Sequence, residues 1–140
     1  MDLGDTTTRA AGSTFAPKAS AVVLVVEDRD VLRDMIGRFL EHSGFETLAA
    51  ASAEEALRRL RERADVALLL TDIGLPALDG WSLAEAARVM RRRLPVVYMS
   101  GHASAAWPAR GVPGSAFLQK PFALDELADC VSRMVGGRQG

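Results

Sequence analysis

Short aliphatic runs alternating with helix-periodic segments constrain this chain more than any other feature. The runs fall at residues 22–26, 45–50, 66–71, 95–100 and 116–118. After the first, "DVLRDMIGRFLEHSGF" places Val31, Leu32, Met35, Ile36, Phe39 and Leu40 on one helical stripe, and Gly44 follows as a stop signal. "SAEEALRRLRER" opens with Ser52 and has Glu55 three positions later, a capping box, with Ala56, Leu57 and Leu60 facing inward. "GWSLAEAARVMRRR" sets Leu83, Ala86, Ala87 and Met90 on one side and ends in arginines, which a helix C-terminus favours. "ALDELADCVSRMV" aligns Leu124, Leu127, Val131, Met134 and Val135. Strict βα alternation of this kind predicts a parallel sheet with helices on both faces. The uniformly apolar first and third runs belong at its centre. In such open sheets ligands bind beyond the carboxyl ends of the strands, at the point where strand order reverses.

Bulk properties narrow the alternatives. A chain of 140 residues suits one domain, and 49% hydrophobic residues suffice for a core. A net charge of -1 gives no general case for nucleic acid or an acidic membrane surface, and Arg91–Arg93 reads as a solvated helix end. The single cysteine, Cys130, excludes an internal disulfide framework and fits a reducing, cytoplasmic setting. No apolar run approaches the ~20 residues of a membrane span. Residues 1–20 are small and polar and read as a disordered leader, residues 21–136 as the folded domain, and residues 137–140 as a flexible tail.

Chemistry concentrates where the strands end. The first runs into Glu27 and Asp28, like charges that repel when placed side by side and so call for a cation. The third ends at Asp72, the fourth at Ser100 and the fifth at Lys120-Pro121. Neighbouring first and third strands would bring three carboxylates to one edge. Mg²⁺, or Mn²⁺ in its place, suits a few carboxylates with water and a phosphate oxygen, and the backbone carbonyl of Gly74 is a candidate fourth donor. Lys120 and the Ser100 hydroxyl would add donors for phosphoryl oxygens, with a carboxylate as nucleophile. Taken singly, each feature has a plain structural explanation: a loop start, a turn, a helix cap. Their order and spacing carry the inference.

The stretches "VVLVVEDRDVLRDMI", "LLLTDIGLPALDGWSL", "PVVYMSGHA" and "FLQKPFALDEL" resemble the receiver domain of two-component response regulators over nearly all of residues 21–135. The resemblance implies a flavodoxin-like (βα)5 fold with strand order 2-1-3-4-5. It implies Asp72 as phosphoacceptor, Glu27 and Asp28 as the acidic pair holding Mg²⁺, Ser100 as switch hydroxyl and Lys120 as the lysine pairing with the phosphoryl group. Phe117 matches the aromatic switch position, and a cis bond is expected before Pro121. The partner would be a sensor histidine kinase or a histidine phosphotransfer protein, and the chain a monomer or a weak phosphorylation-dependent dimer. No enzymatic turnover beyond its own phosphoryl transfer and slow self-dephosphorylation is implied. Only "GGRQG" follows residue 135, so output would pass through another protein, whether the chain is a stand-alone regulator or the receiver of a hybrid kinase. The other reading is a receiver-like interaction module that is never phosphorylated.

The segment "GHASAAWPARGVPGSAF" departs from the family pattern, because Pro108, Gly111, Pro113 and Gly114 interrupt it. Proline inside a helix costs about 3 kcal/mol and glycine about 1. At most a short or distorted fourth helix is expected, one turn around residues 103–107. Either the family's switch coupling is altered or a partner reads another face. Trp107 is either tucked over the sheet or exposed as a contact residue, whereas Trp81 reads as packing. Gly74 and His102 flank the reaction centre and are candidates for tuning the phosphorylated lifetime. A phosphatase with an Asp nucleophile usually has a second acid two residues on, where this chain has Gly74. A flavin site would need a phosphate loop where "EDRDVL" stands.

Overall fold

The computed structural model describes residues 20–137. Five parallel strands, β1 (Val22–Val26), β2 (Glu46–Ala50), β3 (Val66–Asp72), β4 (Val96–Ser100) and β5 (Ala116–Gln119), form one sheet in the order β2-β1-β3-β4-β5. The helices are α1 (Asp30–His42), α2 (Ala53–Glu62), α3 (Gly80–Met90), α4 (Trp107–Arg110) and α5 (Leu124–Gly137). This is the flavodoxin-like doubly wound arrangement, with the strand order implied by the resemblance. Residues 1–19 of the expected leader and the tail beyond Gly137 lie outside the described residues. Gly137 itself, assigned to the tail by sequence, ends α5.

Alternation along each strand divides the core in two. Val22, Leu24, Val26, Leu69, Val96 and Tyr98 point into a cluster with α2 and α3. Val23, Val25, Leu68, Leu70, Val97 and Met99 point into a second cluster with α1 and α5. A strand buried on both faces gains from every residue, which is why β1 carries no polar position. Each fully buried aliphatic side chain contributes roughly 1.5–3 kcal/mol of transfer free energy.

The helix ends use the chemistry read from sequence. Ser52 Oγ accepts from Glu55 N–H at 3.1 Å, and Glu55 Oε1 reaches back to Ala51 N–H at 2.8 Å. Asp79 caps α3 in the same way, accepting from Ser82 N–H.

Several expectations need correction. On α1 only Ile36 and Leu40 are fully buried, while Val31 and Met35 are exposed. The stripe spans half the helix circumference, and the sheet covers only its far side. On α3 Met90 is exposed and Ala84 takes an inward place, because Trp81, Leu83, Ala84 and Ala87 face the sheet. Arg91 is no solvated helix end. Its guanidinium donates to the carbonyls of Val66 (2.8 Å), Leu60 (3.0 Å) and Arg63, where α2 ends and β3 begins.

The fourth helix is short, as expected, but displaced. A 3-10 turn over Ser104–Ala106 leads into α4 over Trp107–Arg110. Pro108 falls in the first turn of α4, where an N–H would have no intrahelical acceptor, so it starts the helix rather than breaking it. Gly111 ends it beneath Trp107: a Cβ there would lie 2.4 Å from the indole Cδ1.

Candidate functional site

Strand register decides what meets at the carboxyl edge. Val26 of β1 pairs with Thr71 of β3, so Glu27 and Asp72 follow side by side. Asp72 pairs with Met99 and Ser100 pairs with Gln119, which places Ser100 and Lys120 one step further along the same edge. A single register shift in the β1–β3 ladder, between Val22 and Val23, sets this alignment.

Oxygen atoms of Glu27, Asp28 and Asp72 all lie within 4.8 Å of one another. Glu27 is completely buried, Asp72 nearly so, and Asp28 is exposed at the mouth. Lys120 Nζ sits between two of the acids, donating to Glu27 Oε1 at 3.1 Å and to Asp72 Oδ1 at 3.2 Å. The cis bond before Pro121 follows directly, as the resemblance implied. Glu27 Oε2 accepts from Arg29 N–H at 3.1 Å, and Arg33 Nη1 donates to the Glu27 carbonyl at 2.8 Å. Three formal negative charges face one ammonium and, 3.5 Å from Glu27 Oε2, the exposed Arg29 guanidinium, and hard oxygen donors in that number suit a divalent cation. The residues present fit such an ion.

The remaining candidates lie around this cluster. Gly74, two residues past Asp72, is exposed, and among the described residues a Cβ there would meet nothing within 4 Å. Ser100 Oγ accepts from the N–H groups of His102 (3.1 Å) and Ala103 (3.2 Å). Among the described residues the hydroxyl has no hydrogen bond to Asp72 or Lys120, although Lys120 N–H donates to the Ser100 carbonyl at 2.9 Å; the hydroxyl holds the start of the loop leading to α4. The His102 side chain is exposed, and only its backbone takes part. Phe117 stacks on Trp107 with ring centroids 5.9 Å apart, and Trp107 Nε1 donates to Ser115 Oγ at 3.0 Å. Trp107 is therefore tucked, half-buried, over the sheet. Trp81 packs on Tyr98 at 4.8 Å and is a core residue.

Sequence reasoning missed three supports of this site. Gly80 lets α3 start against the end of β3: a Cβ there would lie 2.2 Å from the Asp72 carbonyl oxygen. Arg33 anchors α1 to the carbonyl of Glu27, yet reads in sequence as an ordinary polar helix position. Tyr98, fully buried in β4, accepts the Val112 N–H at its phenol oxygen (3.1 Å), and burial pushes that phenol's pKa up. A lone tyrosine within an apolar strand was the available signal.

The family model for the response regulator receiver domain matches residues 23–132. The chain belongs to that family. The receiver domain is 37% identical over 120 residues to the sensor kinase CckA of Brucella abortus, covering 83% of this chain and 13% of that protein. It is 38% identical over 119 residues to the transcriptional regulatory protein PrrA of Mycobacterium tuberculosis, covering 84% of this chain and 50% of that one. The chain thus spans half or less of the length of these curated relatives. A response regulator receiver protein from Sinorhizobium medicae superimposes with a TM-score of 0.81 at 33% identity, covering 86% of this chain and 98% of that one. The receiver domain of the hybrid histidine kinase CckA does so with a TM-score of 0.70 at 34% identity, covering 81% and 98%. Among the described residues no helix is long and apolar enough to cross a membrane.

Proposed function

We propose that this receiver domain is a phosphorylation-dependent signalling switch in which Asp72 accepts a phosphoryl group from a histidine kinase or phosphotransfer protein. The observation that carries the reading is Lys120 Nζ bridging Glu27 and Asp72 within a cluster of three carboxylates. A carboxylate oxygen of Asp72 forms the new O–P bond as the partner's histidine N–P bond breaks. Mg²⁺ or Mn²⁺, held by Glu27, Asp28, Asp72 and the Gly74 carbonyl, would offset the charge that gathers on the phosphoryl oxygens.

Lys120 is already at Asp72 and needs only to follow the added oxygens. Ser100 Oγ would leave the N–H groups of His102 and Ala103 to bind the phosphoryl group, and would so loosen the loop before α4. Trp107, just past that loop, stacks on Phe117, so loosening the loop favours a second arrangement of the α4–β5 surface. Position 74 and His102 border the path of attacking water and would set how long the acyl phosphate survives. The domain turns over no substrate beyond its own phosphoryl group, and protein contacts carry the output.

The apolar groove beside the site supports a protein donor. It has a volume of about 470 Å³, and Leu32, Met35, Phe122 and Leu124 line it together with Lys120. Val31 and Met35 stand exposed on α1 alongside, 82% and 47% accessible. A partner helix seated there would bring a histidine to the mouth of the acidic cluster.

Intact-mass measurement after incubation with acetyl phosphate and Mg²⁺ tests the reading. One phosphoryl adduct is expected, absent from Asp72→Asn and from a metal-free control. If neither acetyl phosphate nor a phosphorylated histidine protein gives an adduct, the domain is a constitutive docking module instead.

A further inference from the structure

The opposite edge of the sheet carries a second concentration of charge. A groove of about 400 Å³ lies between the end of α3, the residues leading into β4 and β5, and the last turns of α5. Arg88, Arg92, Arg93 and Arg133 line it, with Pro113 and Met134, and among the described residues no carboxylate does. A chain whose net charge is -1 has thus gathered four guanidinium groups in one concavity. A cleft lined by one sign of charge focuses its field on whatever enters.

Arg88 adds an independent observation. Its guanidinium donates to the carbonyls of Leu94 and of Pro113 in the groove wall, each at 2.7 Å. It is half-buried, and desolvation holds its pKa below the ordinary arginine value. Among the described residues it forms no ion pair, nor do Arg92 and Arg93; Arg133 pairs with exposed Asp129 at 3.3 Å. A partly desolvated cation with fixed geometry and no counter-charge is the kind of group an anion relieves. Arg92 and Arg93 are exposed and free to close over such an anion.

We propose that this groove binds a small anion carrying adjacent phosphoryl groups, either a nucleotide or an inorganic polyphosphate. Guanidinium forks match phosphate oxygens two at a time, and the volume lies in the range of small-ligand sites, about 300–1,000 Å³. Arginines from α3, the turn that follows it and α5 suit several neighbouring phosphates better than one. The groove opens at the start of β4, whose far end is Ser100, roughly 13 Å away at the strand rise. Both sites can therefore be filled at once. The groove wall at Pro113 is two residues from Ser115, which holds Trp107, so occupancy would bear on the segment that packs on Phe117.

The test is calorimetric titration of the full chain as Asp72→Asn in EDTA, so that the acidic cluster recruits neither metal nor phosphate. The probes are tripolyphosphate, ATP and hexaglutamate. One site for tripolyphosphate or ATP is expected, weakening with salt. Binding should fall at least about tenfold in R92A/R93A and again in R133A, with melting temperatures unchanged. Tighter binding of ATP than of tripolyphosphate assigns a nucleotide; equal binding assigns the phosphate chain alone. Failure of both at low ionic strength, undiminished binding by the two variants, or binding of hexaglutamate only would overturn the proposal.

Discussion

Lys120 is the most informative residue to perturb, because two roles of opposite sign meet in it. Its side chain is 17% exposed, and its ammonium lies 3.1 Å from the carboxylate of Glu27, whose side chain is 0% exposed. Replacing it with methionine keeps the stem and removes the charge, leaving Glu27 beside Asp72 with no cation between them. Removing one partner of a buried ion pair costs about 3–5 kcal/mol. The low end applies here, since Arg29 N–H still binds Glu27 Oε2 and water reaches Asp28 at the mouth. In EDTA, Lys120→Met should therefore be less stable than the parent by about 3 kcal/mol. That corresponds to roughly 12 °C in Tm for a domain of this size.

Magnesium should reverse part of the loss. Without the ammonium, three carboxylates face the cation, so saturating Mg²⁺ stabilises the variant more than the parent. Urea denaturation of both proteins, with EDTA and with Mg²⁺, measures the two differences. The slope of the transition should not change. A variant within about 0.5 kcal/mol of the parent in EDTA would refute the claim that Lys120 neutralises a buried charge. Equal gains from Mg²⁺ in both proteins would refute the competition between ammonium and metal.

Other sites give sharper local tests. Tyr98→Phe leaves the Val112 N–H buried without its acceptor and should cost about 1–3 kcal/mol by thermal denaturation. Gly111→Ala forces a Cβ to within 2.4 Å of the Trp107 ring, so the indole should leave Phe117; a red shift in tryptophan emission reports it, and an unchanged spectrum counts against the packing described. Burial raises the pKa of the Cys130 thiol and of the Tyr98 phenol, so each stabilises the fold in its protonated form. That stabilisation is complete below the unfolded-state values, about pH 8.5 and 10, and is lost as pH rises through the higher folded ones. Chemical denaturation across pH 7 to 11 should show stability falling only on the alkaline side, and alkylation of native Cys130 near pH 8 should be slow beside the unfolded chain.

Much of the site was legible because its residues fall at strand ends. Glu27, Asp28, Asp72, Ser100 and Lys120 each close an aliphatic run, and in a parallel sheet every such end lies on one edge. Side-chain direction was not legible. Ser100 is turned toward the backbone of its own loop, and Trp107 is folded onto Phe117; neither follows from spacing. Helix faces were half legible. The α1 stripe was read correctly as apolar, but only contact with the sheet distinguishes Ile36 and Leu40 from exposed Val31 and Met35. Pro108 misled in the same local way: proline opposes a helix interior, but here tertiary packing begins the helix at its door.

The sequence by itself determined the βα order, the central place of β1 and β3, the two-sided core and the set of residues at the reactive edge. These follow from periodicity and burial, which are properties of each segment. Only the tertiary structure decided that Lys120 lies between Glu27 and Asp72, that Gly80 brings α3 against Asp72, that Arg91 ties α2 to β3, and that four arginines gather at the opposite edge of the sheet. Apart from Gly80 and Asp72, eight positions from one another, these join residues far apart in the chain, and their distances are set by strand register and helix packing rather than by any local preference.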